Sequence, residues 1–286
     1  MATLKQIRQR IKAAKNTQSI TRAMKLVAAA RLTKAKNRVE EARPYSEKMR
    51  EFIQSIGAAG DLPNHPLLER RQQVKKVALV LMTAERGLCG SFNTNLLKAA
   101  QRWLEEQSAG TCLVSVGKKG NLFFSKRGYE VIHAITLPTA GGDLSHAVEL
   151  TSVLEELFTS GQVDAVHLCY SKFYSPIRQE PQIVQLLPIE PPTGEESTGS
   201  KEYDFEPGPE ELMALLLPKY LLTVNYQAML ESAASEHGAR MTAMSNATDN
   251  AGKMISELSL TANRVRQATI TKEILEIVGG AEALKN

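Results

Sequence analysis

Aromatic residues are scarce in this chain of 286 residues: they make up 5% of it, with a single tryptophan, Trp103. A core with so few rings has to be packed by Ala, Leu, Ile, Val and Met, which suits a chain rich in helix. There are three cysteines, Cys89, Cys112 and Cys169. They are widely spaced and odd in number, which excludes a disulfide framework and a four-ligand zinc module. No apolar run approaches the ~20 residues of a membrane span; Val77 to Met82 and Leu212 to Leu217 are typical of the longest. The first residues, Met-Ala-Thr-Leu-Lys-Gln, lack an apolar signal core, so secretion is not expected. The five histidines (His65, His133, His146, His167 and His237) share no metal-ligand spacing. His167, within a strand pattern, reads as a packed histidine, and Glu149, Glu155 and Glu156 read as a solvated helix face.

The most informative absence is of negative charge at one end. Residues 1–38 contain no carboxylate, and residues 1–50 hold 14 Lys or Arg against 3 Glu. That segment carries +11 of a formal net charge of +4, so the other 236 residues carry −7. Such a block points to an anionic partner: nucleic acid, an acidic protein surface, or only a solvated helix face.

Apolar residues at 43% and charged residues at 23% give material for a packed core. Residues 1–56 read as one long helix, with no Gly before Gly57 and Pro44 as the sole proline. Thr3 can cap its start. Leu4, Ile7, Ile11 and Ala14 follow seam spacing. Ile20, Met24 and Val27, with Ala28 to Ala30, continue an apolar face of small residues that lets a second helix approach closely. Residues 57–73 read as a loop. Residues 74–190 alternate strands with helices, which predicts a Rossmann-like α/β domain with a mainly parallel sheet. The strands are Val77–Met82, Cys112–Val116, Ala165–Cys169 and a further one over Ile183–Leu187, bounded by Pro181 and Pro188. The helices fall near Asn93–Gln107, Lys118–Lys126 and Ala147–Thr159. Residues 191–208, rich in Pro, Gly, Ser, Thr and Glu, read as a linker.

Residues 209–286 read as a second long helix, with Pro218 expected to kink it or to split off a short piece. Met241, Met244, Thr248, Ala251, Ile255, Leu258, Ala262 and Val265 alternate spacings of three and four, a coiled-coil seam. The two ends are the only long seam-bearing helices, so pairing them antiparallel buries both seams. At 1.5 Å per residue they would be ~80 and ~90 Å long. That length exceeds an α/β domain of ~115 residues with a radius of gyration of ~13–14 Å. The expectation is a shaft with a foot.

No active site assembles. The turn Glu85-Arg-Gly-Leu-Cys-Gly-Ser-Phe-Asn93 joins a strand to a helix, where backbone N–H groups can cradle phosphate. It is neither a full dinucleotide fingerprint nor a Walker loop, so a plain tight turn is favoured. Cys89 has no sequence-near histidine to make it a nucleophile. The basic segment Thr21 to Arg31 lacks interleaved aromatics for stacking on bases. Arg264, Arg266, Gln267, Thr271 and Glu273 crowd about three turns of the last helix, a set of hydrogen-bonding groups suited to a surrounding protein. Ile270, Ile274, Ile277, Val278, Ala281 and Leu284 make the terminus apolar, and such an end frays unless something encloses it.

Four motifs carry a resemblance over nearly the whole chain. They are Ile7-Arg-Gln-Arg-Ile-Lys12 with Ser19-Ile-Thr-Arg-Ala-Met-Lys-Leu-Val-Ala-Ala-Ala-Arg31, the turn Glu85–Asn93, Ala239-Arg-Met-Thr-Ala-Met-Ser-Asn-Ala-Thr-Asp-Asn-Ala251, and Arg266-Gln-Ala-Thr-Ile-Thr-Lys-Glu-Ile274 running on to Glu276-Ile-Val-Gly-Gly-Ala281. Together they resemble the γ subunit of F-type ATP synthase, bacterial type. The resemblance implies a non-catalytic rotor shaft without cofactor or metal. The shaft couples proton-driven rotation of the c-ring to conformational changes at the catalytic β subunits. Its implied partners are the α and β subunits, ε and the c-ring, with membrane association only through the complex and no nucleic acid. The implied location is the cytoplasmic face of the bacterial inner membrane, or the thylakoid in a photosynthetic cell. By the same resemblance, Met24, Lys25, Arg240, Arg264, Arg266, Gln267, Thr271 and Glu273 meet β. Ile274, Ile277, Val278 and Leu284 form the bearing tip, and Tyr203, Asp204, Phe205 and Glu206 belong to the foot, towards ε or the c-ring.

The sequence departs from the family in places. It has no redox cysteine pair and no inserted segment of the photosynthetic kind, and Ser91 stands where the usual turn has glycine. No transit peptide precedes the first helix, which favours a bacterial chain. Two alternatives stay open on residues alone: a basic coiled-coil nucleic-acid-binding protein, and a small α/β enzyme with helical oligomerisation arms and a ligand near Gly87 to Asn93.

Overall fold

The computed structural model describes residues 3–59, 65–139, 141–190 and 208–283. Two long helices bracket a sheet domain: α1 (Leu4–Ala59) and α5 (Pro209–Ala283). Between them lie β1 (Lys76–Met82), α2 (Phe92–Glu106), β2 (Gly110–Val116), α3 (Lys118–Ser125), β3 (Val131–Ile135), α4 (Leu144–Thr159), β4 (Ala165–Phe173) and β5 (Gln179–Leu187). The chain divides into two compact units, one of Met1–Val27 with Met241–Asn286 and one of Ala28–Arg240.

The larger unit carries a five-stranded sheet in the order β3-β2-β1-β4-β5. The first four strands are parallel, and β5 returns antiparallel along β4. β1 lies at the centre and is buried from Val77 to Met82, as a parallel strand covered on both faces must be. Its side chains alternate between two cores. Ala78, Val80 and Met82 face α4 and the stretches of α1 and α5 that carry Met49, Ile53, Met213, Leu217 and Leu221. Leu79 and Leu81 face α2 and α3, with Leu96, Leu104 and Phe124. At the opposite end of the strands, Asp164 accepts from the N–H groups of Lys75 (2.7 Å) and Lys76 (3.0 Å). Burial opposes ionisation of that carboxyl, but these bonds and Arg71 outweigh it and hold its pKa below the ordinary value.

Four details differ from the sequence reading. Strand β3 was not expected. It is a short edge strand with half-buried side chains, so its apolar signal is weak. Strand β5 begins before Pro181 and runs through it; an edge strand tolerates the missing N–H. Helix α5 is continuous past Pro218, which neither ends it nor splits off a shorter helix. On α1, Ile20 and Val27 point outward at 60% and 53% exposure. The buried stripe keeps the expected Ile7, Ala14 and Ala28 and adds Thr21, Leu32, Ala35 and Val39, at spacings of seven, four and three, those of a seam.

Thr3 does cap α1. Its hydroxyl accepts from Gln6 N–H (3.3 Å), and Gln6 Oε1 accepts from Thr3 N–H (2.9 Å), a reciprocal capping box.

Candidate partner-binding surface on the terminal helices

In the smaller unit the two chain ends run antiparallel, since Lys25 lies opposite Ser245 while Gln18 lies opposite Thr248. Met244, Ala251 and Ala262 are buried along the expected seam of α5, with Thr248, Ile255, Leu258 and Val265 half-buried. Small residues at the seam allow a close approach. A Cβ on Gly252 would lie 3.0 Å from Gln18 Nε2. Polar groups then fix the register: Lys25 Nζ donates to Ser245 Oγ (3.0 Å) and Gln18 Nε2 to Thr248 O (3.5 Å), while Thr21 Oγ1 donates within α1 to Gln18 O (3.1 Å). Thr248 Oγ1 lies 2.8 Å from Thr21 Oγ1 and 2.7 Å from Met244 O, so its one proton serves either of them. A single substitution, Thr21→Val or Thr248→Val, should cost about 1 kcal/mol. The double variant should recover most of that loss, because two apolar groups then face each other. A double-mutant cycle from urea melts measures this.

What the seam leaves outside is chemically distinctive. Lys5, Arg8, Arg10, Lys12, Lys15 and Arg22 are exposed, and among the described residues none of them forms an ion pair. Beyond Ala262, α5 has no buried residue among those whose side chains are described. Arg264, Arg266, Gln267, Thr271 and Glu273 are exposed, with Thr271 Oγ1 donating back to Gln267 O (3.0 Å). Ile270, Ile274, Leu275, Ile277 and Val278 are 48–72% exposed. Such an apolar set on a helix end is a surface that a partner can cover. Met24 and Lys25 are half-buried at the seam. Leu284 and Tyr203, Asp204, Phe205 and Glu206 lie outside the described residues.

Arg240 occupies a different setting, at the end of the larger unit. It is 9% exposed, and its guanidinium has internal partners. Nη1 reaches Glu236 Oε1 (2.6 Å) and His237 Nδ1 (3.3 Å), and Nη2 donates to Gly87 O (3.2 Å). Burial raises the Glu236 pKa against the pull of Arg240. The turn after β1 is thereby clamped to α5. Sequence reasoning missed Glu236 and His237 as members of this cluster. The readable signal was Glu236 four residues before Arg240, the favourable order on a helix.

That turn performs no chemistry of its own. Cys89 is 2% exposed, its thiol accepts from Asn93 Nδ2 (3.2 Å), and burial pushes its pKa up despite Arg240. The left-handed positions of the turn are Leu88 and Gly90, at φ of 60° and 58°. Ser91 sits at φ −85° as the first flanking residue of α2, so a side chain there meets no backbone penalty. The crevice at the carboxyl ends of β1 and β2 is where an α/β enzyme would hold its ligand. Here Met229, Ser232 and Glu236 of α5 line one side of it, facing Met82 and Val116. Cys112 and Cys169 are buried with their thiol pKa values raised, by burial, to about 11 and about 12. His167 stacks against Trp103 at 4.7 Å, and burial lowers its pKa. Glu149 and Glu156 are exposed on α4 as expected, but Glu155 is half-buried and burial raises its pKa. Among the described residues no group of three or more His, Cys, Asp or Glu converges as metal ligands, and no helix is long and apolar enough to cross a membrane.

Comparison with known proteins agrees with this arrangement. The family model described as ATP synthase matches residues 3–284. The ATP synthase gamma chain of Moorella thermoacetica is 46% identical over 285 residues, covering all of both chains. That of Chlorobaculum parvum is 44% identical over 291 residues, again covering both completely. Among solved structures, a chain of the Tetrahymena thermophila mitochondrial ATP synthase central stalk and c-ring assembly superposes with a TM-score of 0.60 at 25% identity, over 80% of this chain and 99% of that one. A chain of the Euglena gracilis mitochondrial ATP synthase gives 0.70 at 21% identity, over 98% of this chain and 94% of that one, and speaks to the fold alone. Since its whole length matches bacterial gamma chains at well over a third identity, the chain belongs to the ATP synthase gamma-chain family.

Proposed function

We propose that this chain is the central rotor shaft of an F-type ATP synthase, a non-catalytic subunit that carries c-ring rotation to the β subunits for ATP synthesis and runs in reverse during hydrolysis. The observation that supports it is the pairing of a basic helix that has no carboxylate before Glu40 with a second helix whose far end stays polar and apolar by turns and uncovered. An isolated protein gains nothing from such an end, whereas a shaft seated in a sleeve does. The partners are α, β, ε and the c-ring, and the complex sits on the cytoplasmic face of the bacterial inner membrane, or on the thylakoid of a photosynthetic cell.

In this role the surface acts by differential contact. A shaft facing three β subunits with three different faces biases each towards a different conformation only through unequal interaction free energies. A difference of ~1.4 kcal/mol changes a nucleotide affinity tenfold. Met24 and Lys25 meet an acidic lobe of β, for which the unpaired cations of α1 supply long-range attraction. Arg264, Arg266, Gln267, Thr271 and Glu273 supply directional hydrogen bonds to β. Ile274, Ile277, Val278 and Leu284 form a low-friction apolar bearing, since apolar contact has no preferred angle. Arg240 acts from within the larger unit, holding the turn Glu85–Asn93 to α5 through Gly87. Tyr203 to Glu206 serve the foot.

The test is rotation. The three native cysteines are buried, so Ser108→Cys on the exposed turn after α2 offers one site for a bead. With the hexamer anchored and ATP added, threefold stepping that stops without ATP is expected. A chain that does not co-purify with the hexamer, yet binds DNA with a steep salt slope, overturns the proposal. Arg266→Ala combined with Gln267→Ala should lower coupled ATP synthesis at least about tenfold, the worth of one charged hydrogen bond. Both side chains are exposed, so the melting temperature of the isolated chain should not move.

A further inference from the structure

The larger unit holds a second cluster of cations that the shaft surface does not use. Arg31, Lys34 and Arg38 stand at i, i+3 and i+7 on α1, which places them on one face. They line a single cleft with the small Ala35 between them. Its opposite wall is the turn Gly141–Gly142, backed by Leu230 and Ala233 of α5. Both glycines are required by that close approach. A Cβ on Gly141 would lie 3.1 Å from Ala233 Cβ, and one on Gly142 3.3 Å from Met229 Sδ.

Two features make the cleft more than a charged surface. Among the described residues none of the three cations pairs with a carboxylate; Arg31 is instead held in place by donating from Nη1 to Thr139 O (3.1 Å). Gly142 is buried, and its N–H has no acceptor among the described residues, although its neighbours are satisfied: Gly141 N–H bonds Pro138 O (2.9 Å) and Asp143 N–H bonds His146 Nδ1 (3.4 Å). A buried N–H of this kind ordinarily finds a partner. Glu236 offsets part of the Arg31 charge, but Lys34 and Arg38 pair with no carboxylate among the described residues, and like charges around one cleft repel each other until a counter-charge enters. A tetrahedral dianion suits both needs, because two guanidinium forks and an ammonium can share its oxygens while one oxygen is left for the backbone donor.

We propose that Arg31, Lys34, Arg38 and the Gly142 N–H form a binding site for a phosphate-class anion, either inorganic phosphate or the polyphosphate of a nucleotide. Helix α4, which starts just beyond, does not supply the donors. The N–H groups of Ser145 and His146 are already taken by Asp143 Oδ1.

Titration calorimetry of the full chain with pyrophosphate at fixed ionic strength tests this. One saturable site is expected. Lys34→Glu with Arg38→Glu should weaken it at least tenfold, and the milder Lys34→Gln with Arg38→Gln should do so without reversing charge, if the first pair disturbs folding. Arg8→Glu with Lys12→Glu, in the other unit, should leave affinity within twofold. ADP binding tighter than pyrophosphate would identify a nucleotide as the source, and equal binding a bare phosphate; both uphold the site. Binding that never saturates, or that falls equally in both charge-reversed pairs, overturns it in favour of diffuse attraction. A poly-glutamate peptide that displaces pyrophosphate and binds tenfold tighter overturns it in favour of an acidic protein surface.

Discussion

Gly117→Ala should prevent the larger unit from folding stably. Gly117 joins β2 to α3 at φ +94°, and its N–H donates to Ile135 O (2.8 Å), tying down the end of β3. A Cβ there would lie 2.0 Å from the carbonyl oxygen of Thr83 and 2.8 Å from its carbon, both backbone atoms of the segment that follows β1. No rotamer change relieves such an overlap, so the end of the central strand or the turn must move. The position is also costly for any L-residue, because φ +94° with ψ 145° lies outside the left-handed helical well, in a region open essentially only to glycine; the backbone alone costs about 1–3 kcal/mol. Moving the turn breaks more. Thr83 N–H bonds Val116 O (2.8 Å), and Thr83 Oγ1 accepts from Gly120 N–H (2.8 Å). The combined loss should exceed about 4 kcal/mol, against a domain stability of about 5–15 kcal/mol. Gly128→Ala separates the two causes. Gly128 has φ +79° but nothing within 4 Å of its Cβ position, so it should lose only the backbone share. Urea midpoints of the two variants measure the difference. Similar midpoints would mean that the Thr83 contact relaxes at little cost.

Thr83 and Gly117 also show what was legible in the sequence and what was not. The buried runs of β1 and β2, and the strand-helix alternation, could be read because each core strand is a continuous apolar stretch. Strand β3 could not, since only Ile135 of its five residues is buried. Pro181 does not bound β5, because an edge strand absorbs the missing N–H. Pro218 does not end α5, although a proline inside a helix removes one backbone hydrogen bond. The α5 seam was legible to the residue, because its period of three and four is uninterrupted. The α1 stripe was legible at its start, where Ile7 and Ala14 are buried, but not beyond, because Ile20, Leu26 and Val27 are apolar and yet exposed, while Gln18, Thr21 and Lys25 are polar and engaged across the seam. Hydrophobic patterning fails where apolar residues are exposed and polar ones fill the seam. The polar groups Arg264, Arg266, Gln267, Thr271 and Glu273 of α5 are exposed. The Arg240 cluster was legible only in part: Glu236 stands four residues before Arg240 on the same helix, whereas Gly87 is brought to it by the fold.

That cluster should make stability depend on pH. His237 is 1% exposed. Its Nδ1 lies 3.3 Å from Arg240 Nη1, and its Nε2 has no partner among the described residues. Arg240 can only donate, so Nδ1 must be an unprotonated acceptor. Burial first, and then the positive charges of Arg240 and Arg31, lower the His237 pKa from 6.5 to about 4. The unfolded chain therefore binds a proton that the folded chain refuses over this window. The stabilisation is complete above about pH 6.5 and is lost as the pH falls towards 4. A gap of this size corresponds to about 3 kcal/mol. Glu236 works in the opposite sense: burial raises its pKa, so acid relieves its own desolvation. His167 and His65, also lowered by burial, add to the acid loss. The wild-type curve alone thus mixes several groups, and the difference from His237→Leu isolates one of them. The variant is expected to start less stable at pH 7.5 and to lose less between pH 7 and 4.5, with the two urea-midpoint curves converging in acid. Parallel curves would mean that His237 accepts its proton in the folded state, which requires Arg240 to turn away and release the Gly87 carbonyl. The clamp on the turn after β1 and the neutrality of His237 are one structural fact, and the pH profile reads both.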